Sequence, residues 1–67
     1  MFADNTVSDA ERERILALGA AHLATIYAAA GKAPVPADVM RIAFEEFSLL
    51  LDGTAARVAL RELHRYQ

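Results

Sequence analysis

The apolar positions of the chain fall into three blocks with the spacing of α-helices, parted by a proline-bearing joint and a short polar joint. The first block opens on Ser8-Asp9-Ala10-Glu11, a capping-box pattern in which Ser8 accepts from the Glu11 amide and Glu11 reaches back. Asp9 and Glu11 also put negative charge where the helix dipole favours it. A long helix 1 is predicted from there to about Ala30, with Gly31 as its stop. The joint GKAPVP follows, in which Pro34 and Pro36 push Ala33 and Val35 towards extended backbone and Pro36 suits a first helical position. Helix 2 is predicted over about Pro36–Leu51, with Asp38 in its first turn. Helix 3 is predicted over about Ala55–Tyr66, with Thr54 or Asp52 as its N-cap. No strand alternation, repeat or low-complexity tract interrupts this pattern, so the fold class is all-α: a small three-helix domain spanning residues 1–67. Residues 1–7, MFADNTV, show no periodicity and are expected to be flexible.

The faces of these helices are less ordinary. In ILALGAAHLATIYAAA, residues 15–30, only His22, Thr25 and Tyr27 carry a polar side-chain atom. The strongest apolar stripe of helix 1 is Ile15, Leu16, Gly19, Leu23, Ile26, Tyr27 and Ala30, and this side is expected to face the core. The other side, Ala17, Leu18, Ala21, Ala24, Thr25 and Ala28, is small rather than polar. Helix 2 is expected to bury Val39, Met40, Ala43, Phe44, Phe47, Leu50 and Leu51, leaving Ile42 and Leu49 seven apart on its other side as a seam beside charged residues. Helix 3 is expected to bury Ala56, Ala59, Leu60, Leu63 and Tyr66. Two short helices cover one side of helix 1, so Ala17, Leu18, Ala21, Ala24, Ala28, Ile42 and Leu49 are assigned to self-association in a helical-bundle homodimer.

Composition narrows the remaining options. The chain has 67 residues, 55% hydrophobic and 24% charged, which is a globular composition near the lower size limit for an unaided core. A core of that size supplies only about 3–5 kcal/mol, and natural mini-proteins add staples or oligomerise. Cysteine is absent and His22 and His64 are the only histidines, so neither a disulfide nor a structural zinc site is expected, which again favours association. The apolar run of helix 1 is shorter than the ~20 residues of a membrane span. The stretch before it is acidic where a signal peptide carries positive charge, so a cytoplasmic location without membrane contact is expected.

The net charge of −2 is uneven: residues 1–53 hold eight acids and four bases, whereas residues 54–67 hold three arginines and Glu62. Arg57, Arg61, His64 and Arg65 therefore form a basic stripe on helix 3, suited to an acidic protein partner or, as the alternative, to DNA read by helix 3 as a recognition helix with Gly53 in the turn. Solvated arginines that complement the C-terminal dipole account for the same stripe without a partner. Other candidate chemistry is thinner. Glu45 and Glu46 point about 100° apart on a helix and do not converge, and Arg41 gives Glu45 an i,i+4 ion pair. His22 has no designated acid or second ligand and reads as a hydrogen-bonded histidine at a core edge or interface; Tyr27 reads as a core-edge ring. Gly31-Lys32 lacks the earlier glycine of a phosphate-binding loop. No catalytic residue, cofactor or metal is expected.

Leu23 and Tyr27, followed after the helix end by Pro34-Val35-Pro36, form a pattern that resembles the helix–Pro-Val-Pro–helix core of the NepR-type anti-sigma factors of alphaproteobacterial stress responses. The resemblance implies two amphipathic helices around a proline linker that hold a sigma factor or its mimic. This chain has Ala37-Asp38-Val39 where that family has Asp-Arg-Phe, places the preceding glycine one residue out of register, and adds a third helix. The expectation from the whole sequence is a self-associating helical interaction module that regulates or adapts another protein.

Overall fold

A computed structural model describes residues 8–28 and 31–66. Among these residues the chain forms three α-helices and no strand: α1 (Asp9–Tyr27), α2 (Pro36–Phe47) and α3 (Gly53–Arg65), each packed against both of the others.

Each helix starts where a side chain relieves its unpaired amides. Ser8 Oγ accepts from the Glu11 N–H at 3.1 Å. The Asp38 carboxylate accepts from the Val35 N–H at 3.4 Å, and Pro36 follows an extended Val35. Asp52 Oδ1 accepts from the Ala55 N–H at 2.7 Å, which makes Asp52 the N-cap of α3 and Gly53 its first residue.

The helix ends depart from the expected positions. α1 closes at Tyr27 through an extended Ala28, and Ala29 and Ala30 lie outside the described residues, as do residues 1–7. Gly31 does occupy the left-handed region, at φ 84°. α2 closes at Phe47, not Leu51. Ser48 takes the left-handed conformation there, its N–H donating to the Phe44 carbonyl and the Leu49 N–H to the Ala43 carbonyl, both at 3.0 Å. The first bond is the 5→1 closure of an αL helix end, made without the usual glycine, and the second reaches back across seven residues. Beyond Ser48 the chain is non-helical and its side chains alternate in burial: Leu49 packs on the core, Leu50 is 80% exposed, and Leu51 is buried.

The larger correction concerns which side of α1 faces inward. Ala17, Ala20, Ala21 and Ala24 are buried, and they share one cluster with Val39, Ile42, Ala43, Leu51, Ala56 and Ala59. Seven of these ten buried hydrophobic residues among those described are alanines. Ile15, Ile26 and Tyr27, expected inside, are 54%, 59% and 62% exposed, and Phe44 on α2 is 58% exposed. Tyr66, expected inside on α3, is exposed as well. The physical reason is fit. Two helices must both rest on α1, and methyl side chains let their backbones approach closely on neighbouring strips of its surface. Val39 and Ile42 of α2 then supply the volume that the alanines lack. Leu23, Met40, Phe47, Leu60 and Leu63 close the edges of the cluster, half-buried.

Gly19 lies at one such edge, beneath the Phe47 ring. A Cβ added there would meet the ring at 3.6 Å, an ordinary van der Waals distance. Gly19→Ala is therefore expected to raise stability by about 0.5–1 kcal/mol, because it removes a helix-interior glycine at no steric cost. Ala21→Leu should do the opposite and cost about 1–3 kcal/mol by overpacking. Urea denaturation of both variants checks the orientation of α1, since an outward alanine face would leave Ala21→Leu close to neutral.

Candidate functional site

The residues expected to mediate self-association divide by burial. Ala17, Ala21, Ala24 and Ile42 are brought together, but inside the chain, where α2 and α3 cover them. Leu18, Ala28 and Leu49 are half-buried, and Leu49 packs against the same cluster. What α1 presents to solvent is a different line. Ile15, His22 and Ile26 are exposed and stand seven and four residues apart, one above another on the helix. Gly19 lies beside this line, and the Phe47 ring of α2 reaches it there. Phe44, one turn before Phe47, continues the apolar surface onto α2. The result is a two-helix apolar face with His22 inside it. Sequence reasoning assigned most of these side chains to the core because they are the largest and most hydrophobic on their helices.

Arg57, Arg61, His64 and Arg65 are exposed on α3, as the basic stripe requires. Glu62, the only acid of α3, is half-buried and engages α1. It accepts from Arg14 Nε and Nη2, both at 3.1 Å, in a bidentate pair between helices 48 positions apart in sequence. The hydrogen bonds from Arg14, with its charge and that of Arg65 in support, hold the Glu62 carboxyl below the usual carboxylate range, against a smaller opposing effect of desolvation. The same bonds raise the pKa of Arg14. Arg41 is also provided for: Asp38 lies 3.6 Å from it and Glu45 3.5 Å, as the i,i+4 spacing indicated. The Arg14–Glu62 pair has no local sequence signal, because it exists only once α1 and α3 have packed.

Beside that pair a groove of ≈ 260 Å³ runs between α1 and α3, floored by Ala10, Ala17, Leu51, Ala55, Val58 and Ala59. Glu13, Arg14 and Glu62 form its charged rim. Among the described residues no polar or charged residue is buried, and no three His, Asp or Glu side chains gather as a metal site would require. No described helix is long and apolar enough to cross a membrane. In comparisons with known proteins, no family model, curated protein or solved structure matches the chain.

The depressed Glu62 pKa carries a pH dependence with a definite sign. A carboxyl that binds its proton less readily in the folded state stabilises the fold above its unfolded pKa. That contribution fades as pH falls through the folded value. Glu62→Gln should therefore be less stable than wild type at neutral pH, with the difference shrinking towards strongly acidic pH. Parallel denaturation curves across the acid range measure it, and a pH-independent gap would contradict the assigned role of the pair.

Proposed function

We propose that the chain is a small helical interaction module that pairs with a second copy of itself and regulates or adapts another protein, without catalytic chemistry. One observation carries the reading: the core is mostly alanine, while Ile15, Ile26 and Phe44, which would make a richer core, stand outside on the α1–α2 face. Alanine contributes little apolar area, so the hydrophobic stabilisation from within a single chain is small. Covering Ile15, Ile26 and Phe44 with the same face of a second copy adds the burial that the intrachain core lacks. The exposed parts of these three residues, with half-buried Leu23, Met40 and Phe47 at their edge, offer on the order of several hundred Å², approaching the roughly 800 Å² per partner of a standard interface. A twofold pairing also brings the face against its own complement, which needs no second surface.

Light scattering over a dilution series tests the pairing directly, with a dimer mass at high concentration as the expected result. Ile26→Glu and Phe44→Glu should each weaken association by at least about tenfold, because each puts a charge into the paired face. Circular dichroism should stay helical, since both positions are exposed within one chain. A monomer at every concentration, or a mass indifferent to both substitutions, would remove the homodimer from the proposal.

A further inference from the structure

Resting on the reading of the chain as an interaction module, we infer that the outer face of α3 is a docking site for an acidic amphipathic helix of another protein. Arg57, Arg61 and Arg65 follow at four-residue steps and stand in one row, each about 6 Å further along the axis. Among the described residues none of the three forms an ion pair, whereas Arg14 and Arg41 both do. The difference is built by the fold. Glu62 is the single acid of α3, and Arg14 of α1 engages both of its oxygens at 3.1 Å, so that of the row only Arg65 lies within reach of its charge.

Local helix physics disfavours this row. Like charges at i,i+4 repel, and here the repulsion occurs twice, while the one nearby acid, Glu62, is bidentately bound to Arg14. The helix dipole accounts for Arg65 in the last turn and not for Arg57, the fifth residue of α3, which lies beyond the reach of either end. A local conflict that the rest of the fold does not relieve marks a surface whose partner is elsewhere.

The partner's chemistry follows from the row. Guanidinium forks bind carboxylates bidentately, and carboxylates at four-residue steps on a second helix repeat with the same rise as the arginines. Val58, seven residues before Arg65, borders the row on the side of the α1–α3 groove and is 45% exposed. It offers methyl groups to an aliphatic side chain of the partner, a contact that a phosphate backbone does not use. The whole chain carries nine acids against seven lysines and arginines, a balance opposed to a polyanion, which is attracted through the long-range field of a basic protein. An acidic helix therefore fits this face better than a duplex.

The test uses the whole chain and three fluorescein-labelled probes of ~16 residues or base pairs, long enough for a helix. These are a capped peptide with glutamate at every fourth position and leucine beside that row, a peptide of the same composition with the glutamates scattered, and a DNA duplex. Fluorescence anisotropy should show the ordered peptide binding more tightly than both other probes, and weakening as salt rises from ~50 to ~300 mM. Arg57→Glu/Arg61→Glu should lose at least about tenfold in affinity, the milder Arg57→Gln/Arg61→Gln less, and Arg41→Gln almost nothing. Circular dichroism of each variant confirms the helices. Absent binding of the ordered peptide, equal binding of the scattered one, tighter binding of the duplex, or an unchanged affinity in the double variants would each overturn the inference. Light scattering separates it from the homodimer: the double variants should keep the wild-type mass, and a mass that falls with them would assign the row to self-association instead.

Discussion

Ala17, Ala20, Ala21 and Ala24 put a wall of methyl groups along α1, and both shorter helices rest on it. That wall is the constraint from which the other features of the structure follow. A face with so little side chain lets two helices approach the same stretch of α1, which a leucine-rich face would keep apart. It also means that the volume of the core must come from elsewhere. Val39 and Ile42 of α2 and Leu51 of the joint provide it, and the half-buried leucines and Phe47 seal the margins. The loop after α2 serves the same end. A left-handed Ser48 ends the helix, and the non-helical segment that follows returns Leu49 and Leu51 to the cluster.

The same choice determines the outer surface. A helix that buries its alanines has to expose what stands opposite, so Ile15 and Ile26 face water together with His22. On α2, the rotation that buries Val39, Ile42 and Ala43 leaves Phe44 outside and lays Phe47 over Gly19. The apolar surface of α1 and α2 is thus the geometric complement of the core, rather than an independent feature. This couples stability and association: enlarging the core residues would crowd the helices, so added burial has to come from covering the outside.

Much of this architecture was legible in the sequence, and what was not has identifiable causes. Helix starts were readable because capping is local: Ser8 and Asp38 act within three residues of themselves, and Asp52 was one of the two caps considered for α3. Helix ends were less so. Serine in a left-handed C-terminal position has no sequence signature, and SLLLD continues the apolar pattern past the true end of α2. The faces of α1 were assigned in reverse, because a periodicity argument weights each residue by hydrophobicity while packing weights it by shape. For the same reason Ile42, set aside as part of a seam, is among the most buried side chains, and Phe44, placed inside, is not. The basic stripe was readable because arginines stay in solvent whichever way a helix turns.

What the sequence could not show about that stripe is its lack of counter-charge. By spacing alone Glu62 is a neighbour of Arg65 and Val58 and a natural partner for the basic side chains of its own helix. Only when α3 packs on α1 does Arg14 come within 3.1 Å of both Glu62 oxygens and draw it away. Two arrangements of the same charges were therefore open: α3 neutralised along its own length, or α3 tied to α1 with its outer row left positive. The first would give a helix better able to stand alone. The second uses the acid to hold two helices together and leaves Arg57, Arg61 and Arg65 without an ion pair among the described residues, Arg65 alone lying near the Glu62 charge, and the fold adopts the second. One tertiary contact thereby fixes α3 against the alanine wall and sets the charge of the surface that α3 presents.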